Sequence, residues 1–194
     1  VSRSVSIWTN FQAGLFFEHD NGKGTVFCLP SFFVYVEVDD MMEYRTIAAP
    51  VSASFVEKKS EFIAQLFPAR TQEEAVEAIE EVRKQHRRAR HNVYAYLLRD
   101  GNASRYSDDG EPQGTAGMPI LDVLQKNGLT DVCCVVTRYF GGVLLGANGL
   151  VRAYSHSTAL AIEAAQIKIM MPCYPVSIQT DYALYGKIAY HLPQ

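Results

Sequence analysis

Val132-Cys133-Cys134-Val135-Val136 runs directly into Thr137-Arg138-Tyr139-Phe140-Gly141-Gly142-Val143-Leu144-Leu145-Gly146-Ala147-Asn148-Gly149-Leu150-Val151-Arg152. The unbroken apolar run has the pattern of a strand buried on both faces. The residues after Gly149 predict a small-residue helix over roughly Leu150 to Ala165, packed through Val151, Tyr154, Ala161 and Ile162. Between them lies a loop whose Gly141, Gly142, Gly146 and Gly149 permit close backbone approach or positive φ, with Arg138 and Arg152 at its ends. No Gly-Lys-Ser/Thr follows, so this is not a Walker A loop, and the order of a dinucleotide fingerprint is missing. A phosphate or RNA-backbone site, which would use Tyr139 and Asn148 as well, and a purely architectural loop both fit these residues.

Upstream, Met118-Pro119 opens a short helix through Leu121, Val123 and Leu124, with Pro119 suited to its first turn and Gly128 to its stop. Ahead of it, Gly114-Thr115-Ala116-Gly117 places two glycines and a hydroxyl where free N–H groups and the positive helix end favour an anion. An ordinary Thr or Gly cap accounts for the same residues. Asp108, Asp109 and Glu111 put three carboxylates on the preceding loop, a set of oxygen ligands that suits a hard cation. An EF-hand opening at Asp108 would need Glu at its twelfth position, where Pro119 stands, and Gly110 and Pro112 mark a turn carrying exposed charge. No metal and no cofactor are expected. The carboxylate loop and the glycine loop are expected side by side, because ligands of α/β folds gather where strand ends lead into helices.

Thr71, with Glu74 three residues on, forms a capping box, and Ala75, Val76, Ile79 and Val82 recur at helical spacing, predicting a helix over Gln72 to Gln85. At its end Arg83, Lys84, Arg87, Arg88 and Arg90 cluster positive charge, either as a solvated C-terminal cap or as a nucleic-acid contact. Their acidic counterweight, Glu73, Glu74, Glu77, Glu80 and Glu81, lies on the same helix. Ser52 to Glu57 and Glu61 to Phe67 read as two strands around Lys58-Lys59-Ser60, and His91 to Arg99 as a third that ends at Asp100-Gly101, with a loop from there to Gly117. His91 and His156 have no Ser or Cys nucleophile in a recognisable elbow, and a locally bonded strand-start histidine is expected at 91.

From Met41 to Ile169 fifteen Lys and Arg balance fifteen Asp and Glu, and the whole chain has a net charge of −3 with a pI near 6.0. That balance argues against a wholesale nucleic-acid binder while leaving a local basic face open. The four cysteines show no C-x-x-C pair and no zinc spacing with the histidines, so a reducing cytoplasm is the natural setting. Asn10, Gln12, Glu18 and Asp20 interrupt any signal-peptide core, and neither secretion nor membrane insertion is expected. Residues 1–41 are aromatic-rich and acidic, with a β-type run from Phe32 to Val38, and are read as an N-terminal extension, with an edge hairpin as the alternative.

The segments Tyr106-Ser107-Asp108-Asp109-Gly110-Glu111-Pro112, Gly114 to Gly117 with Pro119, Thr137 to Gly142, and Leu145 to Tyr154 together resemble the YigZ/IMPACT family. The resemblance covers roughly Met42 to Ile169. It implies, for residues 42–170, an α/β (α+β) domain with a ribosomal protein S5 domain 2-like sheet packed by helices. Residues 171–194 resemble the first strand and helix of a truncated ferredoxin-like domain, with a strand at Pro175 to Thr180 and a helix at Ala183 to His191. The resemblance further implies a cytoplasmic, non-catalytic regulator of translation that binds the ribosome, RNA or a translation-associated protein, since eukaryotic members act in translational control. RNA contact would use Arg138 and Arg152 with Arg87, Arg88 and Arg90. The alternative is a small-molecule enzyme acting on a phosphorylated ligand by phosphoryl transfer or hydrolysis.

Overall fold

The computed structural model describes residues 43–171 in full and, outside them, the backbone of five short strands. The chain divides into two compact units, Tyr44–Met170 and a second formed by Val1–Glu43 with Met171–Gln194. In the second, β1 (Ser6–Thr9) stands apart from an antiparallel sheet of β2 (Glu18–His19), β3 (Thr25–Leu29) and β4 (Phe32–Val36). The β-type run beginning at Phe32 is β4.

The larger unit contains β5 (Tyr44–Ile47), β6 (Val51–Glu57), β7 (Ser60–Pro68), α1 (Gln72–Gln85), β8 (His91–Leu97), β9 (Ser104–Ser107), α2 (Gly117–Lys126), β10 (Val132–Tyr139), α3 (Ala147–Ala164) and β11 (Ile167–Met170). Five strands make one sheet in the order β6-β7-β10-β8-β9, every neighbour antiparallel. The remaining two, β5 and β11, pair antiparallel with Ile47 opposite Ile167. In the second unit β12 (Tyr174–Ser177) pairs with β1. The expected helix at 183–191, and with it the rest of the ferredoxin-like start, lies outside the described residues.

β10 occupies the centre, buried at every position from Val132 to Arg138, with apolar side chains on both faces over its first five residues. Val132, Cys134 and Val136 point to one side, where α2 and α3 bring Ile120, Leu124, Leu150 and Tyr154 against Phe62, Leu66, Val93 and Ala95. Cys133 and Val135 point to the other, where α1 lays Ala75, Ile79 and Val82 over Tyr96. The expected sheet packed by helices is therefore what the chain forms. α1 spans the predicted residues: the Thr71 hydroxyl accepts from the Glu74 amide, and the Glu74 carboxylate reaches back to the Arg70 amide at 2.7 Å.

Three boundaries differ from the sequence expectation. The 100–117 segment is not all loop, because Ser104–Ser107 adds β9 to the sheet edge, with Tyr106 opposite Ala95. Its mainly polar side chains carry little of the apolar alternation that marks a half-buried strand. Thr137, Arg138 and Tyr139 belong to β10 rather than to the loop, paired on both flanks with β7 and β8 through Arg138. α3 starts at Ala147, so Asn148 and Gly149 sit in its first turn; the loop ends at Gly146, whose φ of 73° a residue with Cβ rarely adopts. The β6–β7 hairpin closes on two residues, Lys58 and Lys59, both at positive φ, which directs Ser60 inward to complete burial.

Burial pushes the Cys133 thiol far up and the Cys134 thiol up to about 12. In the unfolded chain a thiol ionises near pH ~8.5. The folded state therefore holds these protons more tightly, and their stabilising effect is complete below that pH and lost as pH rises toward the folded values. Stability against urea should fall by about 1.4 kcal/mol per pH unit per thiol above pH ~9. Thiol labelling at neutral pH, mapped by mass spectrometry, should modify Cys133 and Cys134 only at the rate of global unfolding.

Candidate functional site

The loop after β9 spends its carboxylates on its own backbone. The Asp108 side chain turns onto the start of α2, where Oδ1 accepts from the amides of Ala116 (3.1 Å) and Gly117 (2.8 Å) and Oδ2 from Gly114 (2.9 Å). The anion expected at Gly114, Thr115 and Gly117 is thus supplied from within, and the Thr115 hydroxyl donates to the Pro112 carbonyl instead of facing a ligand. Gly117 lets the strand end come this close: a Cβ there would lie 2.9 Å from the Ser107 carbonyl and the Tyr106 ring. Asp109 is held by the Asn92 amide at 2.7 Å and by Arg83 at 3.5 Å, and its carbonyl accepts from His91 Nδ1 at 2.7 Å. That contact fixes the proton on Nδ1 and turns His91 Nε2 toward Glu111, 3.8 Å away. Among the described residues no group of three or more His, Cys, Asp and Glu side chains is placed to hold a metal.

Glu111 reaches across to the glycine loop. Its Oε1 accepts from Arg138 Nη1 at 2.5 Å and from the Tyr154 hydroxyl at 2.9 Å, with both partners of the ion pair almost wholly buried. Arg138 Nη2 also meets Ser60 Oγ at 3.5 Å, and the guanidinium lies 5.5 Å from the ring centres of both Phe62 and Phe140. Burial, then the Glu111 carboxylate, pushes the Tyr154 hydroxyl well above its ordinary pKa, so it stays a neutral donor. Arg138 therefore does not stand free for a phosphate. It is only 5% exposed, and the acid that holds it is Glu111 rather than Asp108 or Asp109.

Around this pair the glycines let backbones touch. A Cβ on Gly141 would overlap the Lys59 carbonyl, and the Gly141 amide donates to Ser60 Oγ at 3.2 Å, fastening the loop to the β6–β7 turn. Gly142 has a φ of 85°, and Gly149 passes close to Leu145. The Tyr139 side chain turns to the α1 face, bonded to His86 Nδ1 at 3.0 Å, and so offers no free ring for stacking. Phe140 and Leu144 instead project, 40% and 82% exposed. Arg83 is drawn toward Glu80 and Asp109, whereas Lys84, Arg87, Arg88, Arg90 and Arg152 are exposed with no ion pair among the described residues. Arg90 lies 6.0 Å over Phe140.

The two loops meet at a cleft of about 440 Å³, bounded by Gly110, Glu111 and Pro112 on one side and by Phe140, Leu144 and Gly146 on the other, with Arg90 and His91 at one end. Its size suits a small ligand or a few side chains. Asn148 and Arg152 do not line it. Ser60, Asn92 and Thr137 escaped the sequence reading, although Thr137 donates to Asn92 Oδ1 at 2.8 Å and so braces the residue that holds Asp109. Thr137 stands in the quoted motif without an assigned role and no motif marks Ser60 or Asn92, because each acts through a partner distant in sequence.

Breaking the Glu111–Arg138 pair from one side leaves a buried charge, so Glu111→Gln or Arg138→Ala should each cost about 3–5 kcal/mol in urea unfolding. With Arg138→Met as the single variant, the double variant Glu111→Gln/Arg138→Met should recover much of the loss, giving a clear coupling in that cycle.

The description "Impact N-terminal domain" matches residues 58–162, just over half of the chain. The IMPACT family member YvyE of Bacillus subtilis is 41% identical over 146 residues, covering 75% of this chain and 67% of that protein. YigZ of Escherichia coli, also an IMPACT family member, is 38% identical over 138 residues, covering 70% of this chain and 68% of its own. A solved crystal structure described as that of a hypothetical protein superposes with a TM-score of 0.65 at 28% identity, covering 77% of this chain and 91% of that one. The matched span includes both loops and the α3 residues that join them around Glu111, Arg138 and Tyr154, and the chain belongs to the IMPACT family.

Proposed function

We propose that this chain is a non-catalytic binding protein of the translation apparatus, which engages its partner at the cleft between the carboxylate loop before α2 and the glycine loop from Phe140 to Gly146. The observation that carries the proposal is how the cleft divides its residues. Asp108, Asp109, Glu111 and Arg138 are all bonded to other parts of the fold, while Phe140, Leu144 and Arg90 face outward. Groups locked into stabilising hydrogen bonds are poorly placed to exchange protons or attack a substrate, and exposed apolar side chains beside cations are placed to be covered. Membership of the IMPACT family supports translation as the setting, as the resemblance of these motifs implies. No helix among the described residues is long and apolar enough to cross a membrane.

Affinity purification of the tagged full chain from its own cells, with and without nuclease, tests the proposal. Ribosomal components or a translation factor should be retained by the wild type and lost with Phe140→Ala/Leu144→Asp, and deletion of the gene should alter polysome profiles. Unaltered profiles with no translation component retained would overturn it. A melting shift of several degrees with a nucleotide or divalent metal would instead support the rival small-molecule enzyme, since a ligand at a hundred times its Kd stabilises by about 2.7 kcal/mol.

A further inference from the structure

We infer that the partner segment bound at the cleft is an acidic peptide carrying a bulky apolar side chain, a partner class that rests on the binding-protein proposal above. The apolar half of the site is a projecting tip. Leu144 is 82% exposed, and Phe140 and Val143 are each 40% exposed within the same short loop. The Gly141 amide pins one end of that loop to Ser60 Oγ, packed against the Lys59 carbonyl, and α3 begins at its other end. A contiguous apolar tip held on so rigid a base marks an interaction site rather than scattered surface hydrophobicity.

The charged half decides what covers it. Arg87, Arg88 and Arg90 leave the end of α1 exposed and without ion pairs among the described residues. Arg90 is tied to the tip at two points, its amide donating to the Arg138 carbonyl at 3.3 Å and its guanidinium lying over the Phe140 ring. On the opposite flank Lys58 and Lys59 are exposed too, but Glu57 and Glu61 adjoin them in the same hairpin and offset their charge. The carboxylate nearest the arginines inside the cleft, Glu111, is cancelled by Arg138. The net field at the rim is therefore positive and comes from one side. The start of α3 adds to it: Gly146 caps no amide with a side chain, and it lines the cleft.

A nucleic acid would use the cations but leave the tip unpaid for. Leu144 and Val143 have no π face to stack on a base, Tyr139 is turned inward to His86, and Phe140, the one aromatic at the tip, offers a single half-exposed ring. An acidic segment with an aliphatic or aromatic anchor matches both halves, the anchor against Leu144 and Phe140 and its flanking carboxylates against Arg87, Arg88 and Arg90.

Selection of a random displayed peptide library on the full chain tests the inference. Enriched sequences should carry Asp or Glu on either side of one large apolar residue. Synthetic versions should bind at least about tenfold more weakly when that residue is changed to Ala, or when the protein carries Leu144→Asp. Arg87→Glu/Arg88→Glu/Arg90→Glu should reverse the preference toward basic flanks, a readout that a merely unfolded protein cannot give, and circular dichroism checks that each variant is folded. Enrichment of no class or of uncharged peptides, or peptide binding indifferent to Leu144→Asp, would overturn the inference. So would binding of a polyuridine oligonucleotide that the triple variant abolishes while no peptide binds. Retention of translation components from cells alongside either result would leave the binding-protein proposal standing and remove the acidic peptide alone.

Discussion

The buried pair of Glu111 and Arg138 is the contact on which the arrangement of the larger unit's loops depends. Taking both charges out of water costs several kcal/mol each, and their mutual attraction offsets that cost only if the remaining hydrogen-bonding capacity is filled. The Tyr154 hydroxyl and the Ser60 side chain fill part of it, and Arg138 Nε is left buried without a hydrogen-bond partner among the described residues. The four residues come from four places: the loop before α2, the end of a central strand, the second turn of α3 and the first residue after a hairpin turn. Closing one ion pair therefore sets the positions of both motif-bearing loops at once. A purely apolar contact would hold them with less directional preference.

β10 makes this possible by changing character along its length. Its first five residues are apolar and bury on both faces, while Thr137, Arg138 and Tyr139 keep the strand's alternation with polar side chains. Arg138 goes to the α3 side to meet Glu111. Thr137 and Tyr139 go to the α1 side, where they anchor two further networks, Thr137 with Asn92 and Asp109, and Tyr139 with His86 and Gln65. Each network ends at a backbone or side chain of a neighbouring element. The sheet end is thereby stiff on both faces, and the chain that follows can project Phe140 to Leu144 from a fixed base. Preorganisation of that kind lowers the entropy lost when a partner covers the tip.

Charge in the central segment is balanced in number but sorted in space. The carboxylates of the carboxylate loop are bonded inward, to helix amides, to a strand amide and to a guanidinium. The arginines that end α1 stay outward, apart from Arg83. A neutral sequence consequently presents a locally positive rim, because acids that face the interior contribute little to the external field.

The architecture was legible in the residues to the extent that periodicity and turn chemistry determine local structure. The double-faced run from Val132 marked the central strand, Thr71 with Glu74 marked the start of α1, and Pro119 and Gly128 bracketed α2, since each of these signals acts within one or two turns of chain. The edge strand at Ser104 to Ser107 was not legible, because its polar residues gain strand geometry only from pairing with β8. The two motif segments were also legible as residues that belong together, yet their roles were not. Arg138 looked like a free cation beside a glycine loop, and Gly114 to Gly117 looked like a site awaiting an external anion. Which acid satisfies which donor depends on distances between atoms far apart in the chain, and only the tertiary structure brings Asp108 onto α2, Glu111 onto Arg138 and Tyr154, and leaves Leu144 uncovered.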